Sequence, residues 1–226
     1  MLIAYMVRES TAREAVEVQR DENLRPRAFG GGEPPSPPIA TEEPIIGNSR
    51  LALLMFLGAE AMFFAGLIGA FIVFRVASTI WPPAFQPRLP VAVTGVNTLI
   101  LLLSGLTMRR AVKAILAGQS GRLIRYLGTT AVLGLLFLAI QGYEWVRLIH
   151  FGLTLSSGVY GATFYTLIGC HGAHVLGAVI WLLVVLALAR RGSFTASRHT
   201  GVVLCGMYWT FVVALWPILY GLVYLY

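Results

Sequence analysis

The chain has 226 residues, of which 57% are hydrophobic and 12% are charged, and its formal net charge is +7 at pH 7. Soluble domains carry charge on about a quarter of their residues, so this is not the composition of a soluble domain. A nucleic-acid-binding protein would need its basic residues clustered on a recognisable soluble module, and no such module is present in the sequence. We therefore expect no nucleic-acid partner.

The first 48 residues differ from the rest of the chain. They contain eight carboxylates and five arginines, whereas residues 49–226 contain twelve lysines or arginines and two carboxylates. Residues 26–44 contain six prolines and three glycines, a composition that cannot bury a core and is typical of a tether. We predict a polar, Pro-rich segment over residues 1–48, disordered or docked on a partner, and a membrane domain over residues 49–226.

Five long apolar runs follow in the membrane domain. Runs of about 20 apolar residues are long enough to span a bilayer, and backbone groups in lipid need internal hydrogen-bond partners. The sequence therefore predicts an all-α membrane protein with five transmembrane helices, at about 50–75, 89–108, 126–149, 159–188 and 200–225.

Basic residues between these spans predict the orientation of the chain. The loops 109–125 and 189–199 carry eight lysines or arginines, and Arg50 lies on the same side. The opposite side carries three arginines. Because short cytoplasmic loops are enriched in Lys and Arg, we predict a cytoplasmic N-terminus and an external C-terminus.

Three ionisable residues lie near the middle of the predicted spans: Glu60 in the first, and His171 and His174 in the fourth. A charge at this depth costs about 3 kcal/mol on insertion scales, so we expect Glu60 to face one of the histidines. The three residues are possible metal ligands, a proton relay or a structural polar pair. Too few ligands are available for a metal or haem site, and no polar stripe continues a relay, so we favour the buried pair and predict no metal, cofactor or catalytic residue.

Two further patterns bear on contacts between helices. Gly169, Ala173 and Gly177 recur every four residues in the fourth span, and small residues at that spacing let two helix backbones approach closely. Glu144 and Arg147 lie three residues apart near the end of the third span, as in an interfacial ion pair. Glu144 is alternatively a contact for a partner subunit.

The motifs resemble those of subunit III of the haem–copper oxidases. The first span reads "LGAEAMFFAGLIGAFIVFR", with a buried Glu before an aromatic pair and small residues. "QGYEW" and "GVYGATFYTLIGCHGAHVLGAVIWL" resemble the central region of that family, including its His-x-x-His-Val element, and "YWTFVVALWPILYGLVYLY" resembles its closing helix. The resemblance covers about residues 48–226, and the motifs follow the family's order and spacing.

This resemblance implies a non-catalytic subunit of a respiratory terminal oxidase, acting in electron transport from cytochrome c to oxygen. Such a subunit packs beside subunit I, joins subunit II and others, stabilises the catalytic subunit and supports proton uptake. Haem and copper are expected in the partner subunits, and structural phospholipid in a cleft between two groups of helices. The five-helix type is bacterial, which implies the inner membrane. In the family the buried Glu, here Glu60, pairs with a histidine that corresponds to His174.

Two alternatives accompany this resemblance, and the chain departs from the family pattern in its last helix. The family's last helix usually reads Trp-His-Phe-Val-Asp, whereas this chain has Thr210 and Val213 at the His and Asp positions. A subunit III of a quinol oxidase, or an accessory subunit of nitric oxide reductase, would share the fold and most of the motifs. An independent proton channel or transporter that uses Glu60 and the histidines is the alternative from another class.

Overall fold

The computed structural model describes residues 47–81, 83 and 89–225, and every regular element in this part of the chain is helical. Each of the five long helices is long and apolar enough to cross a membrane, which confirms the predicted all-α membrane fold. The helices are α1 (Asn48–Ala77), α2 (Val91–Leu116), α3 (Ser120–His150), α4 (Val159–Arg190) and α5 (Thr200–Tyr220). The predicted polar, Pro-rich segment over residues 1–48 lies outside the described residues except for its last two.

The connection between α2 and α3 is much shorter than predicted. Instead of a loop over residues 109–125, only Ala117, Gly118 and Gln119 separate the two helices. Gly118 has φ +69°, which suits a residue without a side chain, and its N–H donates to the carbonyl of Ile115 at 2.9 Å. The prediction is wrong here because the apolar run stops at the membrane boundary, whereas arginine and lysine are good helix formers and let the helix continue.

Helices α2, α3, α4 and α5 form a ring, in which α2 and α4 each pack on both α3 and α5. The largest fully buried side chains include Trp209 and Trp216 of α5. Glycines let the helices approach at two places. A Cβ built on Gly134 would lie 2.5 Å from Cη2 of Trp209, and one on Gly206 would lie 2.8 Å from Cγ2 of Val112. Close packing of this kind drives helix association in lipid, where helices gain little from apolar burial.

Two tryptophans of α5 also bind α2 through hydrogen bonds. The indole N–H of Trp216 donates to Oγ1 of Thr98 at 2.9 Å, and that of Trp209 donates to Oγ of Ser104 at 3.2 Å. The tryptophans are seven residues apart and their acceptors are six residues apart, so the two bonds lie about two turns from each other. Together they fix the register of the two antiparallel helices.

Helix α1 lies outside this ring and buries two of its 30 residues, Phe64 and Phe71. Phe71 meets the ring of Trp81 edge-on at 5.8 Å, and Trp81 meets Tyr160 of α4 in the same way at 4.9 Å. A groove of about 230 Å³ separates α1 from α4. Its lining is apolar except for two threonines: Leu67, Ala70, Phe71, Phe74, Ala162, Thr163, Thr166 and Leu167.

Candidate functional site: the Glu60–His174 pair

The structure places Glu60 of α1 against His174 of α4. Oε2 of Glu60 lies 2.8 Å from Nε2 of His174. Both residues lie near the middle of their helices, since Glu60 is the 13th residue of the 30 in α1 and His174 is the 16th of the 32 in α4. The contact therefore joins the peripheral helix to the ring in the middle of the apolar region.

The other ring nitrogen of His174 determines how the pair shares its proton. Nδ1 lies 2.6 Å from the carbonyl oxygen of Cys170. A carbonyl only accepts, so Nδ1 carries a hydrogen and donates it. One further proton then lies between Nε2 of His174 and Oε2 of Glu60, held either by an imidazolium or by a carboxylic acid. Both arrangements are neutral overall, which suits a region where an isolated charge is costly.

Aromatic rings of α1 surround the imidazole of His174. Phe64, one turn after Glu60, meets this ring edge-on at a centroid distance of 5.1 Å, and Phe63 stacks on it at 6.4 Å. The pair is partly exposed, since 18% of the Glu60 side chain and 21% of the His174 side chain are accessible in this chain. The pair therefore lies close to the outer surface of the bundle.

His171 has a different environment from His174. It is 1% exposed and stacks on Trp216 at a centroid distance of 4.9 Å and an interplanar angle of 25°. Neither of its ring nitrogens has a hydrogen-bond partner among the described residues. His171 is therefore part of the aromatic core between α4 and α5, and the structure does not bring it together with Glu60 in a hydrogen bond.

The three small residues of α4 are not placed at a helix contact. A Cβ built on Gly169 or Gly177 would meet no atom within 4 Å, and Ala173 is exposed. The prediction of close approach at these positions is wrong for contacts between helices of this chain. The glycine of α4 that does face another helix is Gly172, where a Cβ would lie 2.9 Å from Cη2 of Trp145.

Glu144 and Arg147 form the ion pair that their spacing indicates. Nη1 of Arg147 donates to Oε1 of Glu144 at 3.3 Å. The two side chains differ in exposure, at 6% for Glu144 and 46% for Arg147, and the guanidinium also lies 5.9 Å from the ring centroid of Tyr143. The carboxylate therefore points into the bundle. Its buried position gives no support to a direct partner contact through Glu144, and Arg147 is the member of the pair that faces outward.

The residues at positions 210 and 213, which depart from the family's last helix, make local contacts. The hydroxyl of Thr210 donates to the carbonyl of Gly206 at 2.7 Å within α5. Val213 is buried, and a Cβ built on Gly105 would lie 3.1 Å from its Cγ1. A carboxylate at position 213 would thus be buried against α2, where this chain has an apolar contact instead.

Sequence reasoning missed the buried polar side chains of α2. Thr94, Asn97, Thr98 and Ser104 are all less than 10% exposed. Besides the bonds to the two tryptophans, Nδ2 of Asn97 donates to the carbonyl of Phe137 at 3.2 Å. The signal in the sequence was the helical spacing of these polar residues within one apolar span, because unpaired polar groups in lipid need a partner on a neighbouring helix.

Comparison with known proteins identifies the family. The family model described as "Cytochrome c oxidase subunit III" matches residues 42–226. A cytochrome c oxidase subunit 3 from Synechocystis sp. is 36% identical over 174 residues, which cover 76% of this chain and 73% of the relative. A probable cytochrome c oxidase subunit 3 from Mycobacterium leprae is 36% identical over 172 residues, covering 76% of this chain and 84% of the relative.

A further relative shows similar coverage. The cytochrome c oxidase subunit 3 of Thermostichus vulcanus is 35% identical over 176 residues, covering 77% of this chain and 86% of the relative. The matched region contains all five helices, the Glu60–His174 pair and the ion pair of α3. The chain belongs to the cytochrome c oxidase subunit III family.

Proposed function

We propose that this chain, a subunit III of a haem–copper terminal oxidase, is a structural subunit that binds no haem or copper itself. In this proposal it packs beside the catalytic subunit I, within a complex that also contains subunit II, and supports proton uptake there. Among the described residues, no three His, Cys, Asp or Glu side chains converge to offer a metal site. The names of the relatives support cytochrome c as the electron donor of the complex.

The observation that carries this proposal is the hydrogen bond between Glu60 and His174, at 2.8 Å. It joins two helices, and the second nitrogen of His174 is held by the backbone of Cys170. A pair bonded at both ends in this way is suited to positioning α1 on the ring. We therefore assign to Glu60 and His174 the role of a clamp that keeps the subunit in one shape beside its partners.

The groove between α1 and α4 has the properties of an acyl-chain site. It is lined by apolar side chains and by Thr163 and Thr166, and Thr163 already donates its hydroxyl to the carbonyl of Val159. A chain of methylene groups can fill such a surface without leaving polar groups unpaired. We expect Ala162→Phe, which narrows the groove, to lower the amount of phospholipid retained by the purified complex; unchanged retention would contradict this site.

The sidedness of the protein is also part of the proposal. Nine lysines and arginines lie at the end of the bundle where α1, α3 and α5 begin, and the described part of the other end carries two, Arg75 and Arg147. This asymmetry supports a cytoplasmic N-terminus and an external C-terminus in a bacterial inner membrane. A cysteine-labelling reagent that does not cross the membrane should modify Ser156→Cys from outside in intact cells, but not Ser193→Cys.

The test of the main proposal is purification of the complex through a tag on this chain. Haem absorbance and oxidase activity should co-purify with it. When this chain is then dissociated from the complex with detergent, the haem spectrum should remain with the other subunits and be absent from the isolated chain. A haem spectrum in the isolated chain would overturn the structural role. Failure to co-purify any haem-bearing subunit would contradict its place in the complex.

A further inference from the structure

One end of the bundle carries a dense set of cations. It is the end where α1, α3 and α5 begin and where α2 and α4 finish. We call these residues the basic collar, and all of them are exposed: Arg50, Arg109, Arg110, Lys113, Arg122, Arg125, Arg190, Arg191 and Arg198.

No carboxylate among the described residues balances this collar. The two described carboxylates lie elsewhere, Glu60 in the middle of α1 and Glu144 near the opposite end of α3. The hydrogen bond that Arg122 makes is to a neutral group, Oε1 of Gln119 at 2.9 Å. The positive charge of the collar is therefore not neutralised by any carboxylate among the described residues.

Helix dipoles add to this imbalance. Arg50 and Arg122 lie in the first turns of α1 and α3, and Arg198 lies just before α5. No acidic residue occupies the first turn of any of these three helices. A helix N-terminus carries a partial positive charge and disfavours cations, so an anion from outside the described chain would stabilise all three ends.

The positions of the cations indicate what kind of anion this is. Five of them flank the connection between α2 and α3, and three flank the connection between α4 and α5. Because α2 and α4 each pack on α3 and α5, these two connections lie on opposite edges of the ring. The cations are therefore spread around this end of the bundle and not gathered on one edge, a distribution that suits the headgroups of the surrounding lipid.

The depth of the collar in the membrane also favours lipid headgroups as the bound anions. Its residues lie at the ends of helices that are long and apolar enough to cross a membrane. Cations at the ends of membrane-spanning segments lie at the level of the headgroups. We propose that the basic collar binds the headgroups of anionic phospholipids on both edges of the bundle. This inference concerns a surface distinct from the groove between α1 and α4 and is independent of the oxidase assignment.

The test uses the purified full-length chain with its co-purifying subunits, reconstituted in phosphatidylcholine containing about 30% phosphatidylglycerol, an anionic lipid. Electron spin resonance of spin-labelled lipids gives the association of each lipid with the protein surface. We expect phosphatidylglycerol to be preferred over phosphatidylcholine, and Arg109→Gln/Arg110→Gln/Lys113→Gln to lower that preference by about half or more. The matched control Arg109→Lys/Arg110→Lys/Lys113→Arg keeps all three charges and should retain the preference of the unmodified protein.

Salt provides a second measurement that needs no variant. At about 0.5 M NaCl the screening length falls to a few ångströms, so the preference of the unmodified protein should be lost. The proposal is overturned if that preference is absent at low salt, survives high salt, or is unchanged by the glutamine variant. A glutamine variant that keeps its lipid preference but loses a partner subunit would show that the collar binds protein instead. Competition by soluble glycerol phosphate would show a free-phosphate site, which also contradicts the proposal.

Discussion

Helix α1 and the ring of α2 to α5 are held in place by different means. Fourteen of the 32 residues of α4 are buried, against two of 30 in α1. The ring depends on glycines that admit large side chains and on tryptophans bound to α2, whereas α1 is attached by one polar pair and a few aromatic rings. Contacts distributed over many residues tolerate the loss of a single hydrogen bond, but an attachment concentrated at Glu60 does not.

The largest expected effect comes from filling a close contact in the ring. Gly134→Leu would place a side chain where a Cβ already lies 2.5 Å from Trp209 and 3.2 Å from Val179. Overpacking of this kind costs about 3 kcal/mol, so the temperature at which the purified complex loses this subunit should fall clearly. The matched control is Gly177→Leu, whose Cβ meets no atom of this chain within 4 Å. An equal fall of this temperature in the two variants would contradict the distinction between buried and outward-facing glycines.

A smaller and more local effect is expected from Glu60→Ala. It leaves Nε2 of His174 without its partner, which costs about 1–3 kcal/mol for a buried group. Because α1 has few other contacts, the distance between spin labels on α1 and α4 should become broadly distributed, while that between labels on α2 and α5 should not change. Glu60→Gln can still donate a hydrogen bond to a neutral imidazole, so the distances between the labels on α1 and α4 should stay narrowly distributed. If α1 stays in place in Glu60→Ala, the clamp is not needed.

The smallest effect is expected for the hydrogen bond that Trp216→Phe removes. The substitution removes the bond to Thr98, whose hydroxyl still donates to the carbonyl of Thr94 at 2.8 Å. Hydrogen bonds between membrane helices average about 0.6 kcal/mol, so we expect a coupling energy of about that size between positions 216 and 98, while the total loss of thermal stability also contains the cavity left by the smaller ring; α1 should stay in place. A double-mutant cycle with Thr98→Val isolates the bond. A coupling energy of zero would show that Trp216 contributes only through packing.

The number of spans, the polar pair and the helix ends could be predicted from the sequence to different extents. The five spans can be predicted from the apolar runs alone, because an apolar segment in lipid must form a helix to pair its own backbone groups. The expectation that Glu60 faces a histidine followed from the cost of an unpaired charge, whereas the choice of His174 rested on a family resemblance. The sequence placed helix ends poorly because a helix continues past the membrane boundary, as α2 does from Arg109 to Leu116.

The face that each helix presents to the others could not be predicted in the same way. In a soluble protein the buried face is apolar and the outer face is polar, but in lipid both faces are apolar. Nothing in the sequence of α4 therefore distinguished Gly177, which faces open space, from Gly172, which faces Trp145. The bonds from Trp209 and Trp216 to α2 depend on the rotation of two helices at once and were missed for the same reason.

The shared proton of the Glu60–His174 pair has a consequence for a membrane under voltage. A lone charge that moves across a potential of 100 mV gains or loses about 2.3 kcal/mol, comparable to the cost expected for breaking the pair. Since the pair is neutral wherever its proton lies, the electric field exerts no net force on it. The attachment of α1 at this point should therefore hold equally well in an energised membrane and in a depolarised one.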